Sequence, residues 1–71
     1  MSNEKIAKAV VQARGFKLLN AEGEWVKFQR RGHTFIGKAT ENDTVLIRLP
    51  DAEYKEFEST FDAMRWLAQS C

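Results

Sequence analysis

Residues 25 to 39, which read WVKFQRRGHTFIGKA, combine cations and aromatic side chains without a single acid. Four lysines and arginines and three aromatic residues lie in this stretch, although the whole chain has ten acidic residues. Lysine and arginine contact phosphate groups, and a flat aromatic side chain such as Trp25 stacks on bases or sugars. The candidate chemistry of the stretch is therefore contact with nucleic acid.

The alternation of side chains along short strands predicts that most of these cations share one face of a sheet. Successive side chains of a strand point to opposite faces, so in WVKFQR the apolar pair Val26 and Phe28 lies opposite Trp25. Applied to FKLL, TFIGKA and TVLIRL, the same alternation predicts an uncovered face that carries Lys17, Trp25, Lys27, Gln29, Lys38 and Arg48, with Arg30, Arg31 and His33 at its rim. The candidate binding residues are Lys17, Trp25, Lys27, Arg30, Arg31, Lys38 and Arg48.

A purely structural interpretation accounts for the same residues. Lysines on a solvated antiparallel face oppose aggregation, and Trp25 then packs against Ile36 across a strand pair. His33 follows Gly32 and fits a turn, and a metal site is not expected because no cysteine or second histidine is near it. The acidic run DAEYKEFE fits a solvated edge, and Trp66 fits the margin of a core.

The elements that position these residues begin with a helix. Ser2 or Asn3 is its expected cap and Gly15 its stop, and its apolar stripe consists of Ile6, Ala9, Val10 and Ala13. Four strands follow, FKLL, WVKFQR, TFIGKA and TVLIRL, with turns at NAEGE, RGH and TEND. Connections this short require mostly antiparallel neighbours, because parallel strands need long crossovers.

The last third of the chain fits two arrangements. The spacing of Tyr54, Phe57, Phe61, Met64 and Leu67 allows one long helix from Asp51. The box STFD instead favours a helix from Thr60 to Gln69 capped by Ser59, after a turn at Pro50 and a short edge strand near residues 53 to 57. We expect the second arrangement, with an inner helix face of Phe61, Met64, Leu67 and Ala68. The predicted fold class is α+β: one domain of residues 1 to 71 with an N-terminal helix, an antiparallel meander of three to five strands and a C-terminal helix, both helices on one face.

Composition narrows the function. With 44% hydrophobic residues the chain is expected to be globular, and no apolar run is long enough to span a bilayer. The polar start and the single cysteine, Cys71, predict a cytoplasmic protein. No nucleophile with its base and no glycine-rich phosphate loop occurs, so we expect no enzyme, cofactor or small-molecule substrate. Residues 1 to 40 hold eight cations and three acids, whereas residues 41 to 71 hold three cations and seven acids. This asymmetry indicates either a charged partner or two halves of the chain that complement each other.

The segment FESTFDAMRWL, residues 57 to 67, resembles the strand-to-helix ending of plant AP2-type and arm-type phage integrase DNA-binding domains, and the similarity is carried by Phe57, Ser59, Asp62, Ala63 and Trp66. In those families a three-stranded sheet backed by a helix reads DNA through Arg, Lys and Trp on its open face. The resemblance implies that role for Trp25, Lys27 and Lys38. The order of helix, strands and helix is also similar in topology to double-stranded RNA-binding domains.

Two functions are therefore expected from the sequence. The first is a non-enzymatic module that contacts nucleic acid, DNA more than RNA, through the basic face around Trp25. The second is a protein-interaction module, such as a phage-encoded or mobile-element inhibitor or adaptor of a host protein. That module would use the same face, the acidic edge, or an exposed strand that pairs two copies.

Overall fold

Five strands form one antiparallel sheet in the order in which they occur along the chain, and a helix stands at each end of the sequence. The computed structural model describes residues 4 to 70. Its elements are α1 (Glu4–Gln12), β1 (Lys17–Glu22), β2 (Trp25–Arg30), β3 (His33–Ala39), β4 (Val45–Arg48), β5 (Tyr54–Phe57) and α2 (Thr60–Ser70). The predicted α+β class and meander are confirmed, and the proposed cap at Ser2 or Asn3 lies outside the described residues.

Two-residue turns join the first three strands. Arg31 (φ 51°) and Gly32 (φ 83°) connect β2 to β3, and two successive positive φ angles identify the type I′ turn, which suits the twist of antiparallel strands. Gly23 (φ 62°), followed by Glu24, connects β1 to β2 with the signs of a type II′ turn. The prediction that NAEGE is a turn was therefore wrong for its first three residues, because β1 continues as far as Glu22.

Both helices pack on the same face of the sheet, as predicted. Leu18, Phe28 and Phe35 come from three successive strands, and the rings of Phe28 and Phe35 stack with centroids 5.4 Å apart. Burial of these apolar side chains is the main stabilising term for so small a domain. The buried core consists of Ile6, Val10, Val26, Phe28, Phe35, Val45, Ile47, Phe57, Ala63, Met64 and Leu67.

Residues 51 to 59 form a turn and an edge strand rather than the first part of a helix. The Leu49 N–H donates to the Glu53 carbonyl (2.7 Å), and the Ala52 N–H donates to the Leu49 carbonyl (2.9 Å), so the chain reverses before β5. The Asp62 N–H donates to the Ser59 Oγ (3.1 Å), which caps α2 as the sequence predicted. Within the described chain, neither helix is long and apolar enough to cross a membrane.

The inner face of α2 differs from the prediction. Met64 and Leu67 are buried as expected, but Phe61 is 69% exposed and Ala68 is exposed, whereas Ala63 is fully buried. A three-four spacing can be drawn through either Phe61 or Ala63, because both stripes share Met64 and Leu67. The small side chain of Ala63 lets the helix lie close to the sheet, and this packing turns Phe61 toward solvent.

Candidate functional site

Three rows of side chains cross the face of the sheet that lies opposite the two helices, which we call the open face. The strand pairing places in the first row Glu22, Trp25, Lys38, Leu46 and Glu56. The second row contains Asn20, Lys27, Ile36, Arg48 and Tyr54. The third row contains Lys17, Gln29 and Thr34. The register thus confirms that Lys17, Trp25, Lys27, Lys38 and Arg48 share one face, and what they bind stays a prediction.

Arg30 does not lie at the rim of the open face, and this expectation was wrong. Its guanidinium lies over the ring of Phe16, 5.3 Å from the centroid, and its Nη2 donates to the Ala68 carbonyl near the end of α2 (3.3 Å). Alternation after Gln29 directs Arg30 to the helix side, and its long side chain reaches the free carbonyls of α2, where a cation is favourable. Arg30 therefore joins the sheet to α2 and is not available to a partner at the open face.

Arg31 and His33 stay exposed beside the open face. Arg31 is the first residue of the β2–β3 turn, and His33 opens β3. His33 helps to line a shallow depression of about 500 Å³ that also contains Lys27 and Arg48. Both residues are therefore placed near the predicted site, as the sequence suggested for its rim.

A shallow groove of about 530 Å³ runs across the middle of the open face. It is lined by Asn20, Glu22, Trp25, Lys27, Ile36, Arg48 and Tyr54. Three of these residues, Lys27, Ile36 and Arg48, also line the depression beside His33. The two hollows therefore lie side by side. Together they make what we call the trough, which combines exposed aromatic rings with cations and with polar side chains from β1.

Trp25 is held from one side by Lys38. The Lys38 ammonium lies 5.0 Å from the centre of the indole ring and 4.0 Å from the Glu24 carboxylate. Lys38 does not line the groove but a separate hollow beside the β3–β4 turn, so it covers the side of Trp25 that faces away from the groove. Lys38 thus contacts one side of the indole, and Glu24, whose side chain is 72% exposed, offsets the charge of Lys38 only weakly.

Charges on the open face separate along the direction of the strands. One end, which we call the cationic end, carries Lys17, Lys27 and Arg48 on the face itself, with Arg31 in the adjoining turn. The opposite end, which we call the acidic end, carries Glu22 and Glu56 on the face, with Lys38 between them, and Glu24, Glu41 and Asp43 in the adjoining first and third turns. Asp51 and Glu53, in the β4–β5 turn, limit the cationic end to the strands from β1 to β4. A polyanion would therefore approach this face at one end only.

Sequence reasoning missed Asn20, Glu22 and Tyr54 as residues of the groove. The sequence pattern assigns Asn20 and Glu22 to a turn, where alternation cannot predict which side of the sheet a side chain faces, but both residues belong to β1. The available signal was Gly23, since a glycine at the first position of a two-residue turn places Glu22 directly opposite Trp25. Alternation from the buried Phe57 would likewise have put Glu56 and Tyr54 on the open face.

No match to this chain is found among protein-family models, curated proteins or solved structures. Between residues 4 and 70, no group of three or more His, Cys, Asp or Glu side chains is arranged to hold a metal ion. The function must therefore be inferred from the chemistry of the open face itself.

Proposed function

We propose that the protein is a small, non-enzymatic module that binds nucleic acid through its open face. The observation that carries this proposal is the meeting of Lys17, Lys27 and Arg48 on one face with the exposed indole of Trp25. None of these three cations has a carboxylate partner within the part of the chain that the structure describes. The single cysteine of the sequence fits a cytoplasmic, reducing setting.

The arrangement suits phosphate contacts that position the ligand and an aromatic contact that stacks on it. Unpaired cations on a solvated face bind phosphates and release counterions, so affinity falls as salt rises. Acids at the opposite end of the face repel phosphates and thereby orient the ligand. Because the net charge of the chain is only +1, we expect binding that is modest and strongly dependent on salt.

A titration followed by backbone amide shifts tests the proposal and maps the face. Mixed-sequence oligonucleotides, single-stranded and duplex, are added at low salt, and the salt is then raised. We expect shifts at Lys17, at residues 25 to 38 and at Arg48 that reverse with salt. The absence of shifts with either oligonucleotide at low salt refutes the proposal.

A pair of charge reversals provides the matched control. Lys27→Glu changes a cation on the open face, and Lys8→Glu changes an exposed cation on α1, on the other side of the sheet. We expect only Lys27→Glu to abolish binding, with both variants folded by circular dichroism. Equal loss in the two variants would mean that the whole charge of the protein, and not this face, attracts the ligand.

The second candidate function is a protein interface on the same face, as an inhibitor or adaptor of phage or mobile-element origin would use. It is favoured by the aromatic side chains exposed there, since Trp25 is 37% and Tyr54 57% accessible. Aromatic residues are enriched at protein interfaces. Salt separates the two functions, because an interface centred on aromatic residues loses far less affinity than a set of phosphate contacts.

A further inference from the structure

We infer that the groove of the open face binds single-stranded nucleic acid and selects a base that carries an exocyclic amino group. In this arrangement the base stacks on Trp25 and its amino group donates to the Glu22 carboxylate, while the adjoining phosphate lies at Lys27 and Arg48. The inference rests on the proposed function and specifies the ligand of the same site.

The dimensions of the sheet favour a single strand over a duplex. Five strands spaced by about 4.8 Å make a face about 19 Å wide, and a six-residue strand such as β2 is about 20 Å long. The major groove of B-form DNA is about 12 Å wide and admits a helix or a two-stranded ribbon. Because the face is broader than this groove, we expect a duplex to contact it through the backbone rather than through the base edges. Unpaired bases, in contrast, can lie flat on such a surface.

The separation of charge sets the path of the strand across the face. Phosphates are attracted to Lys17, Lys27 and Arg48 and repelled by the carboxylates at the acidic end. The backbone therefore crosses the strands from β1 toward β4, and the bases point toward the β1–β2 turn. Trp25 lies two residues from Lys27 along β2, which is about 7 Å. That separation matches the reach from a phosphate to the base of the same nucleotide.

Trp25 offers one stacking side to the groove. Lys38 covers the other side of the indole, with its ammonium 5.0 Å from the ring centre. A ring restrained on one side in this way loses less side-chain freedom when a base stacks on it. Lys38 is thus a positioning residue for the stack, whereas Lys27 and Arg48 are contact residues for phosphate.

Glu22 determines which bases fit. It lies directly opposite Trp25 in the β1–β2 pair and lines the groove together with Asn20. An ionised carboxylate only accepts hydrogen bonds, so it pairs with the amino group of cytosine, adenine or guanine. Uracil and thymine carry a carbonyl oxygen where cytosine carries its amino group, and their one donor on this edge is the ring N3–H. A carboxylate placed to accept from the amino group of cytosine therefore faces an acceptor in uracil, which leaves both oxygens unsatisfied. The groove should therefore favour cytosine over uracil, which have the same ring size.

Anisotropy titrations of fluorescent oligomers test this inference. Oligo-dC and oligo-dU of about 12 nucleotides are compared, with a mixed duplex of the same length, at pH above 7 to keep cytosine unprotonated. We expect the affinity for oligo-dC to exceed that for oligo-dU by at least about fivefold, because this is the smallest gain that one well-made base contact gives. A ribo-C oligomer carries the same base on an RNA backbone, so comparing its affinity with that of oligo-dC shows whether the groove binds RNA or DNA more tightly.

Glu22→Gln supplies the decisive comparison. Its amide donates as well as accepts, so the ratio of oligo-dC to oligo-dU affinities should fall to about one. Glu41→Gln removes the same charge at the acidic end without touching the groove and should leave the ratio unchanged. The ratio is used because either change also weakens repulsion of every oligonucleotide.

Each remaining outcome has a distinct meaning. Equal affinity for oligo-dC and oligo-dU in the unchanged protein, or a ratio that survives Glu22→Gln, overturns this inference. Tighter binding to the duplex than to either single strand also overturns it, but leaves the proposed function standing. Binding to none of the oligonucleotides overturns both.

Discussion

Replacement of Lys27 by glutamine gives the sharpest test of how the open face binds its ligand. Lys27 lies between the two hollows of the trough, opposite Ile36, with Arg48 on the next strand. Its side chain is exposed, so the change should leave the free energy of unfolding within about 0.5 kcal/mol of the unchanged protein. Any effect on affinity then reports a lost ligand contact.

The size of the effect follows from the number of cations on the face. For a single strand, each phosphate that is neutralised contributes about −0.7 to the slope of log affinity against log salt concentration. The three unpaired cations Lys17, Lys27 and Arg48 thus predict a slope of about −2. Between about 50 and 200 mM salt, affinity should fall about 20-fold for the unchanged protein and about 7-fold for Lys27→Gln, whose slope is about −1.4.

Anisotropy of a labelled single-stranded oligonucleotide at several salt concentrations measures both slopes. Lys8→Gln, on the exposed side of α1, removes the same charge away from the face and should keep the slope of the unchanged protein. The reasoning is refuted if Lys27→Gln and the unchanged protein have the same slope. A slope near zero in the unchanged protein would instead mean that stacking on Trp25, and not contact with phosphate, carries the affinity.

Three further changes test the stacking platform and the frame behind it. Trp25→Ala should weaken single-strand binding by about 5- to 150-fold in the same assay, which is the loss of one stacked base. Phe61→Ala removes a more exposed aromatic ring on α2 and should not weaken binding, so equal losses in the two variants contradict the assignment. Arg30→Ala should lower the free energy of unfolding in urea by about 1–2 kcal/mol, since it removes the hydrogen bond to the Ala68 carbonyl and the contact with Phe16. It should leave oligonucleotide affinity unchanged. Lower affinity with unchanged stability would mean that Arg30 contacts the ligand after all. Gly15→Ala should destabilise by about 1–2 kcal/mol, because φ is 88° and the added Cβ would lie 2.6 Å from the Arg30 Nη1, so a raised melting temperature would contradict this account.

The elements themselves could be predicted from the sequence because their signals are local. The turn at Arg31 and Gly32, between two alternating segments, determines a hairpin without reference to the rest of the chain. Alternation then assigns Trp25 and Lys27 to the open face and Phe28 to the core. The cap at Ser59 likewise decided between the two arrangements of the last third.

The composition of the site depended on contacts between distant parts of the chain. Alternation along β2 already puts Arg30 on the side of Phe28, but its contact with the Ala68 carbonyl depends on where α2 ends. Phe61 is exposed because Ala63 packs against the sheet instead. Neither contact has a local signal, since each requires the position of a helix relative to strands far away in the sequence.

The sequence alone, then, determines the order of helices and strands. It also determines which side of the sheet each central side chain faces, because both properties depend on residues within a few positions of one another. Only the tertiary structure decided that Tyr54 on β5 joins Trp25 on β2 in one groove, and that cations and acids occupy opposite ends of the open face. The physical reason is strand register: which residues become neighbours across a sheet is set by pairing and packing over the whole domain, while alternation fixes only the side on which each residue lies.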